Sequence, residues 1–415
     1  MAAARGEGGR IVVGLDVGTS KICAVVGEIA EAGVHVIGIG THPSQGLRKG
    51  VVVNIEATVA SIKRAVEEAE LMAGVDISHV YVGIAGGHIH SLNSPGVIAV
   101  KGREVDDEDV ARVIEAAKAV AIPTDREVIH TLPQEFVVDD QGGILDPRGM
   151  TGVRLEAKVH IITAATSAMQ NLVKCCNRAG LDVLGVTLES LASAEAVLSQ
   201  DEKDLGAILI DFGGGTTDTA VFAGGAIRHT SVLPLGGFNL TKDIAIGLRT
   251  PDSAAEKIKR RHGVCLVSRV GRDDTIEVEQ TGGRKPRVMA RQILAEIIEA
   301  RVEEIFSLTD NEIARHGLKE KASSGLVLTG GSSMIEGAVE LAEQVFNLPT
   351  RIGLPVGVSG LTDVIASPAY STAVGLVLHG ARQEDGGGRT RRVKETPQSL
   401  NRLLAKFRDW LKEAF

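Results

Sequence analysis

The sequence predicts a multidomain α/β protein organised by an internal duplication, on three observations. At 415 residues the chain exceeds what one core usually organises, roughly 150 residues per domain. Its 44% hydrophobic and 24% charged residues are the composition of an ordinary folded α/β chain. Two strand–turn–strand blocks match each other, IVVGLDVGTSKICAVV at 11–26 and GAILIDFGGGTTDTAVF at 206–222. Each carries an Asp and then a Gly-Thr between apolar strands.

The elements follow in order. Residues 11–39 read as three antiparallel strands, because β-branched residues run between glycines. The period turns helical over NIEATVASIKRAVEEAELMAG, where Val59, Ile62, Val66, Ala69 and Leu71 fall near i, i+3, i+4 spacing, and HVYVGIAGGHI returns to strand. Residues 86–163 differ in texture, with short strands around a helix DDEDVARVIEAAKAVAI whose acids crowd its first turn. They are expected to form an inserted subdomain. SAMQNLVKCCNRAGLDV reads as a helix capped by Ser167, and LESLASAEAVL leads into the second hairpin block. Beyond it lie a charged helical segment over 252–318, the stretches GLVLTGGSSMIEGAVELAEQVF and SPAYSTAVGLVL, a polar linker ARQEDGGGRTRRVKETPQ, and a last helix.

A formal net charge of -8 argues against nucleic acid as a partner of the body, which would need a basic face. The cysteines Cys23, Cys175, Cys176 and Cys265 fall at no metal or disulfide spacing, and no signal peptide or 18-residue apolar run is present. A cytosolic protein with reduced, structural cysteines is expected.

The two hairpins point to a nucleotide. A tight turn between strands exposes consecutive backbone N–H groups, and glycine lets them form an anion-binding concavity. Thr19, Ser20, Thr216 and Thr217 add hydroxyl donors. Asp16 and Asp211, at the strand ends, do not suit phosphate but suit Mg2+ or its waters. Neither a Walker loop nor a dinucleotide fingerprint occurs, since strand rather than helix follows the glycines.

GLDVGTSK, LIDFGGGTTD and GLVLTGGSSMIEG resemble the phosphate-1, phosphate-2 and adenosine motifs of the actin, Hsp70 and sugar-kinase superfamily. Within it, GLRKGVVVNIEATVASI, VYVGIAGGHI, AEKIKRRHG and GLTDVIASPAYSTAVGL resemble the FtsA family of bacterial actin-like cell-division proteins, over 11–415. The resemblance implies an actin-like, ribonuclease H-like duplicated two-lobed ATPase fold in which subdomain 1B is missing and a differently placed subdomain 1C is inserted. On this chain 1A takes 11–85, 164–205 and 365–381, and 1C takes 86–163. Subdomain 2A takes 206–243 and 322–364, and 2B takes 244–321. A flexible linker at 382–398 precedes an amphipathic membrane-targeting helix at 399–415.

By matching positions, the resemblance implies that Asp16 and Asp211 face Mg2+ through water. Gly18, Thr19, Ser20 and Lys21 would line one side of the ATP phosphates, and Gly213, Gly214, Gly215 and Thr216 the other. Gly330, Gly331 and Ser332 would lie against the adenosine, and Glu256 and Lys259, on one helical face, against ribose and base. The position that orients the attacking water in relatives falls on Ser190 in TLESLASA, with Glu189 one residue early and pointing elsewhere. Slow or negligible hydrolysis is therefore expected.

SLNRLLAKFRDWLKEAF places Leu400, Leu403, Leu404, Phe407, Leu411 and Phe415 within an arc of about 120°, with Trp410 at its edge. Four cations against two acids, on an acidic body, suit an anionic membrane surface, and 17 residues carrying charges throughout are expected to lie in the interface rather than span it. The resemblance implies self-association into a polymer and tethering of FtsZ filaments at the septum, on the cytoplasmic face of the inner membrane. The FtsZ C-terminal tail would dock on 2B near Arg301 and Glu304, and later division proteins would meet 1C. An MreB-like actin homologue in cell shape is the second reading, disfavoured by the 86–163 insert and the C-terminal helix. A sugar kinase lacks its substrate aspartate here, and an Hsp70-like chaperone lacks its substrate domain.

Overall fold

The computed structural model describes residues 9–385 except 102, 103, 281, 283 and 284. The chain begins with β1 (Arg10–Val17), β2 (Lys21–Ala30) and β3 (Gly33–Pro43), an antiparallel meander as expected, then the short pair β4 (Leu47–Arg48) and β5 (Val51–Val52). Helix α1 (Ile55–Ala73) and β6 (His79–Ile84) follow. Asn54 caps α1 through the Ala57 N–H, and Gly74 closes it in the left-handed region. The insert contains β7 (His90–Ala99), α2 (Asp107–Lys118), β8 (Arg126–Val138), β9 (Gln141–Ile144) and β10 (Arg154–Ala165). Next come α3 (Thr166–Ala179), β11 (Asp182–Leu188), α4 (Glu189–Val197) and α5 (Gln200–Leu205). Ser167 does not cap α3: the helix starts after Ala165, with no side-chain cap, and Ser167 already lies within its first turn.

The second lobe opens with the matching meander β12 (Ala207–Phe212), β13 (Thr217–Ala223) and β14 (Ala226–Leu233), then α6 (Gly237–Gly247) and α7 (Asp252–His262). The expected helical run over 252–318 is interrupted by a hairpin, β15 (Thr275–Val278) with β16 (Arg287–Ala290), before the long α8 (Arg291–Arg315). Then come β17 (Leu326–Thr329), α9 (Ala338–Phe346), β18 (Thr350–Ile352), β19 (Val358–Gly360), α10 (Thr362–Ile365) and α11 (Ser371–Asp385).

Two sheets carry the duplication. The first orders β11-β6-β1-β2-β3-β19 and the second β14-β13-β12-β17-β18. Side-chain alternation splits the first sheet between two cores. Val13, Leu15, Ile22, Ala24 and Val26 bury under α1 and α3, while Val12, Cys23 and Val25 bury under α4 and α11. Gly40 lets α1 lie flat on β3: a Cβ there would sit 2.0 Å from the Ala65 carbonyl oxygen. In the second lobe, Phe212, Phe306 and Phe346 form an aromatic centre with ring centroids 5.6 and 5.8 Å apart along the series.

The insert is a four-stranded sheet, β7-β10-β8-β9, with its own core of Val113, Ala117, Phe136, Leu155 and Val159 under α2. It grows from the first lobe but rests on the second. Ser91 Oγ donates to the Thr230 carbonyl at 2.7 Å, Asn93 Nδ2 to that of Arg228 at 3.2 Å, and Gln134 Nε2 to that of Ile227 at 2.8 Å. The buried His160 joins this seam through Asn93 and Thr230 Oγ1.

The tail residues Leu400, Leu403, Leu404, Phe407, Trp410, Leu411 and Phe415, with most of the expected linker, lie outside the described residues. Among the described residues no helix is long and apolar enough to cross a membrane.

Candidate functional site

The β1–β2 and β12–β13 turns occupy equivalent places in the two sheets. Asp16 pairs with Cys23 in one hairpin and Asp211 with Asp218 in the other, so each acid sits one rung before the last pair of its hairpin. The turns face each other across a cleft of about 590 Å3. Their approach is close: a Cβ on Gly215 would lie 2.5 Å from Thr19 Oγ1, and one on Gly214 2.9 Å from Ser20 Cβ.

The residues expected to hold the nucleotide line this one cleft, except Thr217, which is buried on β13 with its Oγ1 donating to the Leu235 carbonyl at 2.9 Å. Asp16, Gly18, Thr19, Ser20 and Lys21 come from the first turn, and Asp211, Gly213, Gly214, Gly215 and Thr216 from the second. Glu256 and Lys259 come from α7, and Gly330, Gly331 and Ser332 from the turn after β17. Parallel pairing of β17 on β12 sets Thr329 beside Asp211. The chain can then turn only through Gly330, which has φ +86° and where a Cβ would be 2.3 Å from Asp211 Oδ1. Ser332 Oγ ties that turn to the Gly213 carbonyl at 2.9 Å. Lys259 Nζ donates to the Gly237 carbonyl and Thr241 Oγ1, both at 2.9 Å, and pairs with Glu256 at 2.7 Å.

The electrostatics of the cleft are those of acids crowded in a dry space. Burial pushes Asp16 up to about 6, against the opposing pull of Lys21, with Asp211 adding to the rise. Burial also raises Asp211, although Ser193 Oγ donates to it at 2.7 Å and Thr372 Oγ1 at 3.1 Å. Asp218 behind them is pushed by burial to about 8. Lys21 Nζ is buried, has no hydrogen-bond partner, and lies 4.4 Å over the Tyr370 ring. A buried ammonium without an acceptor, beside hard carboxylate oxygens and glycine N–H groups, is the donor set that a Mg2+-bound phosphate satisfies.

Glu189 and Ser190 exchange the places expected of them. α4 begins at Glu189, whose side chain lines the cleft, while the next residue is rotated about 100° into the lobe, where Ser190 Oγ is buried without a partner. Burial, with Asp16, Asp218 and Asp211 as further causes, raises Glu189 well above the carboxylate range. Sequence reasoning also missed Ser193 and Thr372, which orient Asp211, and Gly237, where α6 starts against the Gly213 carbonyl. The Leu-Gly-Gly at 235–237, a flexible joint before a helix, was the readable signal for the last of these.

Arg301 and Glu304 lie apart from the cleft, on α8. Arg301 grips Asp243 through Nε and, at 3.2 Å, through Nη2, and also pairs with Glu304.

Comparison with known proteins agrees with this architecture. The family Cell division protein FtsA matches residues 208–375, and the SHS2 domain inserted in FtsA matches residues 86–163. The cell division protein FtsA of Pseudomonas aeruginosa is 54% identical over 382 residues, covering 92% of each chain. That of Escherichia coli K12 is 43% identical over 414 residues, covering 98% of each. Among solved structures, a PilM–PilN type IV pilus biogenesis complex has a TM-score of 0.65 at 17% identity, over 89% of this chain and 98% of that one. MreB5 of Spiroplasma citri bound to ADP has a TM-score of 0.57 at 15% identity, over 91% and 99%. These last two are likenesses of fold, so the cell-shape reading is not favoured. The chain belongs to the FtsA family of cell-division proteins and has the actin-like fold.

Proposed function

We propose that this protein binds Mg–ATP between its two hairpins, self-associates on the inner face of the cell membrane, and there tethers FtsZ filaments at the division septum. The observation that carries the nucleotide is Lys21, a cation whose buried Nζ has no hydrogen-bond acceptor, in the same cleft as Asp16, Asp211 and the two glycine turns. Thr19, Ser20 and the Gly213–Thr216 backbone would donate to the phosphates, and Asp16 and Asp211 would hold the waters of Mg2+, which supplies charge neutralisation when bound. Glu256, Lys259 and Gly330–Ser332 would frame the adenosine. The solved relatives in fold include an MreB5 with ADP and one with AMPPNP.

Turnover is slow or negligible in this reading. Glu189 stands where water would be oriented, but burial beside Asp16, Asp218 and Asp211 raises its carboxyl well above the ordinary value, which weakens it as a base.

The tether rests on the sequence of the C-terminal helix. One amphipathic helix binds a surface weakly, and a polymer bearing many such helices binds well by avidity. The FtsZ tail would reach 2B near Arg301 and Glu304, competing with Asp243 for the guanidinium. Residues 86–163 would serve later division proteins.

Co-sedimentation with anionic liposomes tests the tether, comparing the full chain with one ending at Gln398, each with and without Mg–ATP. Pelleting by the full chain alone is the expected result. If both stay in the supernatant, or both pellet alike, the tail is not the anchor.

A further inference from the structure

Far from the cleft, His229 of β14 meets Glu312 and His316 at the end of α8, where the edge of the second sheet touches its longest helix. A ligand atom from each of the three lies within 4.8 Å of the others. We propose that these side chains form a binding site for a divalent cation of the Zn2+ class, clamping α8 to β14.

The buried member makes the case. His229 is 8% exposed, its Nε2 has no hydrogen-bond partner, and that atom is 3.8 Å from Glu312 Oε1. Leaving a buried polar nitrogen unpaired is costly, and a bound cation would remove that cost.

The two helical members stand ready for the same role once the His316 ring turns. Glu312 and His316 are four residues apart and share one face of the helix end. His316 Nδ1 lies 2.9 Å from the Glu312 carbonyl oxygen, which can only accept, so Nδ1 carries the proton and Nε2 is left with its lone pair. Nδ1 is also the nitrogen that lies 3.8 Å from Glu312 Oε1, so ligation through Nε2 requires the ring to rotate. This is how metal-binding histidines are commonly oriented, by a backbone carbonyl on the other ring nitrogen. The rings of His229 and His316 are stacked, centroids 4.1 Å apart at 29°, so closing on one ion turns His316 out of the stack. It has the room: its side chain is 46% exposed, and it stands at the helix end before Gly317, which has φ +61°. The competing Arg315 contact to Glu312, at 3.5 Å, is an exposed bridge of little strength.

Two imidazoles and one carboxylate select Zn2+ and its neighbours over Mg2+ and Ca2+, which prefer all-oxygen shells. Three protein ligands leave a fourth position for water or for a group from another molecule. The four cysteines are buried and do not compete.

The test is calorimetric titration of the full, tag-free chain with Zn2+, followed by Co2+ as a spectroscopic probe of tetrahedral nitrogen and oxygen ligands. One equivalent is expected to bind the natural chain and raise its melting temperature. His316→Ala and Glu312→Gln, both at half-exposed positions, are expected to weaken that binding by at least about tenfold and remove the zinc-dependent rise in melting temperature. Zinc binding that is absent in the natural chain, or equal in all three proteins, overturns the site. A melting temperature lowered equally with and without zinc in the variants shows a stacked pair that only packs, and overturns it as well. Mg–ATP binding is expected to be unchanged in both variants, so this result and that for the nucleotide cleft are independent.

Discussion

Asp16→Asn is the substitution whose effect the structure fixes most closely. The carboxyl moves from an ordinary value of 3.8 to about 6 on folding, chiefly through burial. Because the folded value lies above the unfolded one, the folded chain holds this proton more tightly. The contribution of this group to stability is therefore greatest below about pH 4 and is lost as pH rises through about 6. The displacement corresponds to about 3 kcal/mol at pH 8 and under about 1 kcal/mol at pH 4. Asparagine cannot ionise, so Asp16→Asn should be more stable than the natural chain at pH 8 and nearly equal to it at pH 4. At about 2–4 °C per kcal/mol for a lobe of 150–250 residues, the gain should be several degrees. The variant should also lose Mg–ATP binding, because a cation ligand has become an amide. Scanning calorimetry of both proteins from pH 4 to 8, without nucleotide, is the assay. Equal melting temperatures at pH 8, or a difference that does not grow with pH, would refute the claim that this acid is buried at a cost.

Two further outcomes follow from the same cleft. Mg–ATP binding at pH 7 should release protons, because Asp218, behind the cleft acids and pushed up to about 8, is mostly protonated in the free chain and is drawn toward its ionised form by a divalent cation held beside Asp16 and Asp211. Binding heats that are identical in buffers of different ionisation enthalpy would contradict this. Gly330→Ala should abolish nucleotide binding and cost about 1–2 kcal/mol of stability, since it forces a Cβ to 2.3 Å from Asp211 Oδ1 at φ +86°. A variant that melts and binds as the natural chain does would show that the turn has slack.

The cleft was legible in the sequence because its chemistry is local. Asp, Gly and Thr at fixed spacing within each hairpin carry their own turn geometry, and the duplication aligned them. What was lost depended on phase or on distance in the chain. The start of α4 decides whether Glu189 or Ser190 faces the cleft, and nothing in TLESLASA fixes that start, since Leu188 offers no cap. Ser193 and Thr372 meet at Asp211 from two helices, α4 and α11, a long-range meeting that no local pattern encodes. The β15–β16 hairpin went unread because its strands are four residues each, too short for alternation to outweigh the surrounding charge. Ser167 was misread because helix entry from β10 is continuous and leaves no position for a cap.

The seam between insert and second lobe has a consequence for aggregation. β14 is the outer strand of its sheet, and an outer strand with free carbonyls is a template on which another extended chain can add. Here the Ile227, Arg228 and Thr230 carbonyls accept from side chains of the insert instead of from a strand backbone. The insert thus guards the rim of a sheet it does not belong to. A chain deprived of residues 86–163 would expose that rim, and its insolubility would be a property of the unguarded edge rather than of a misfolded core.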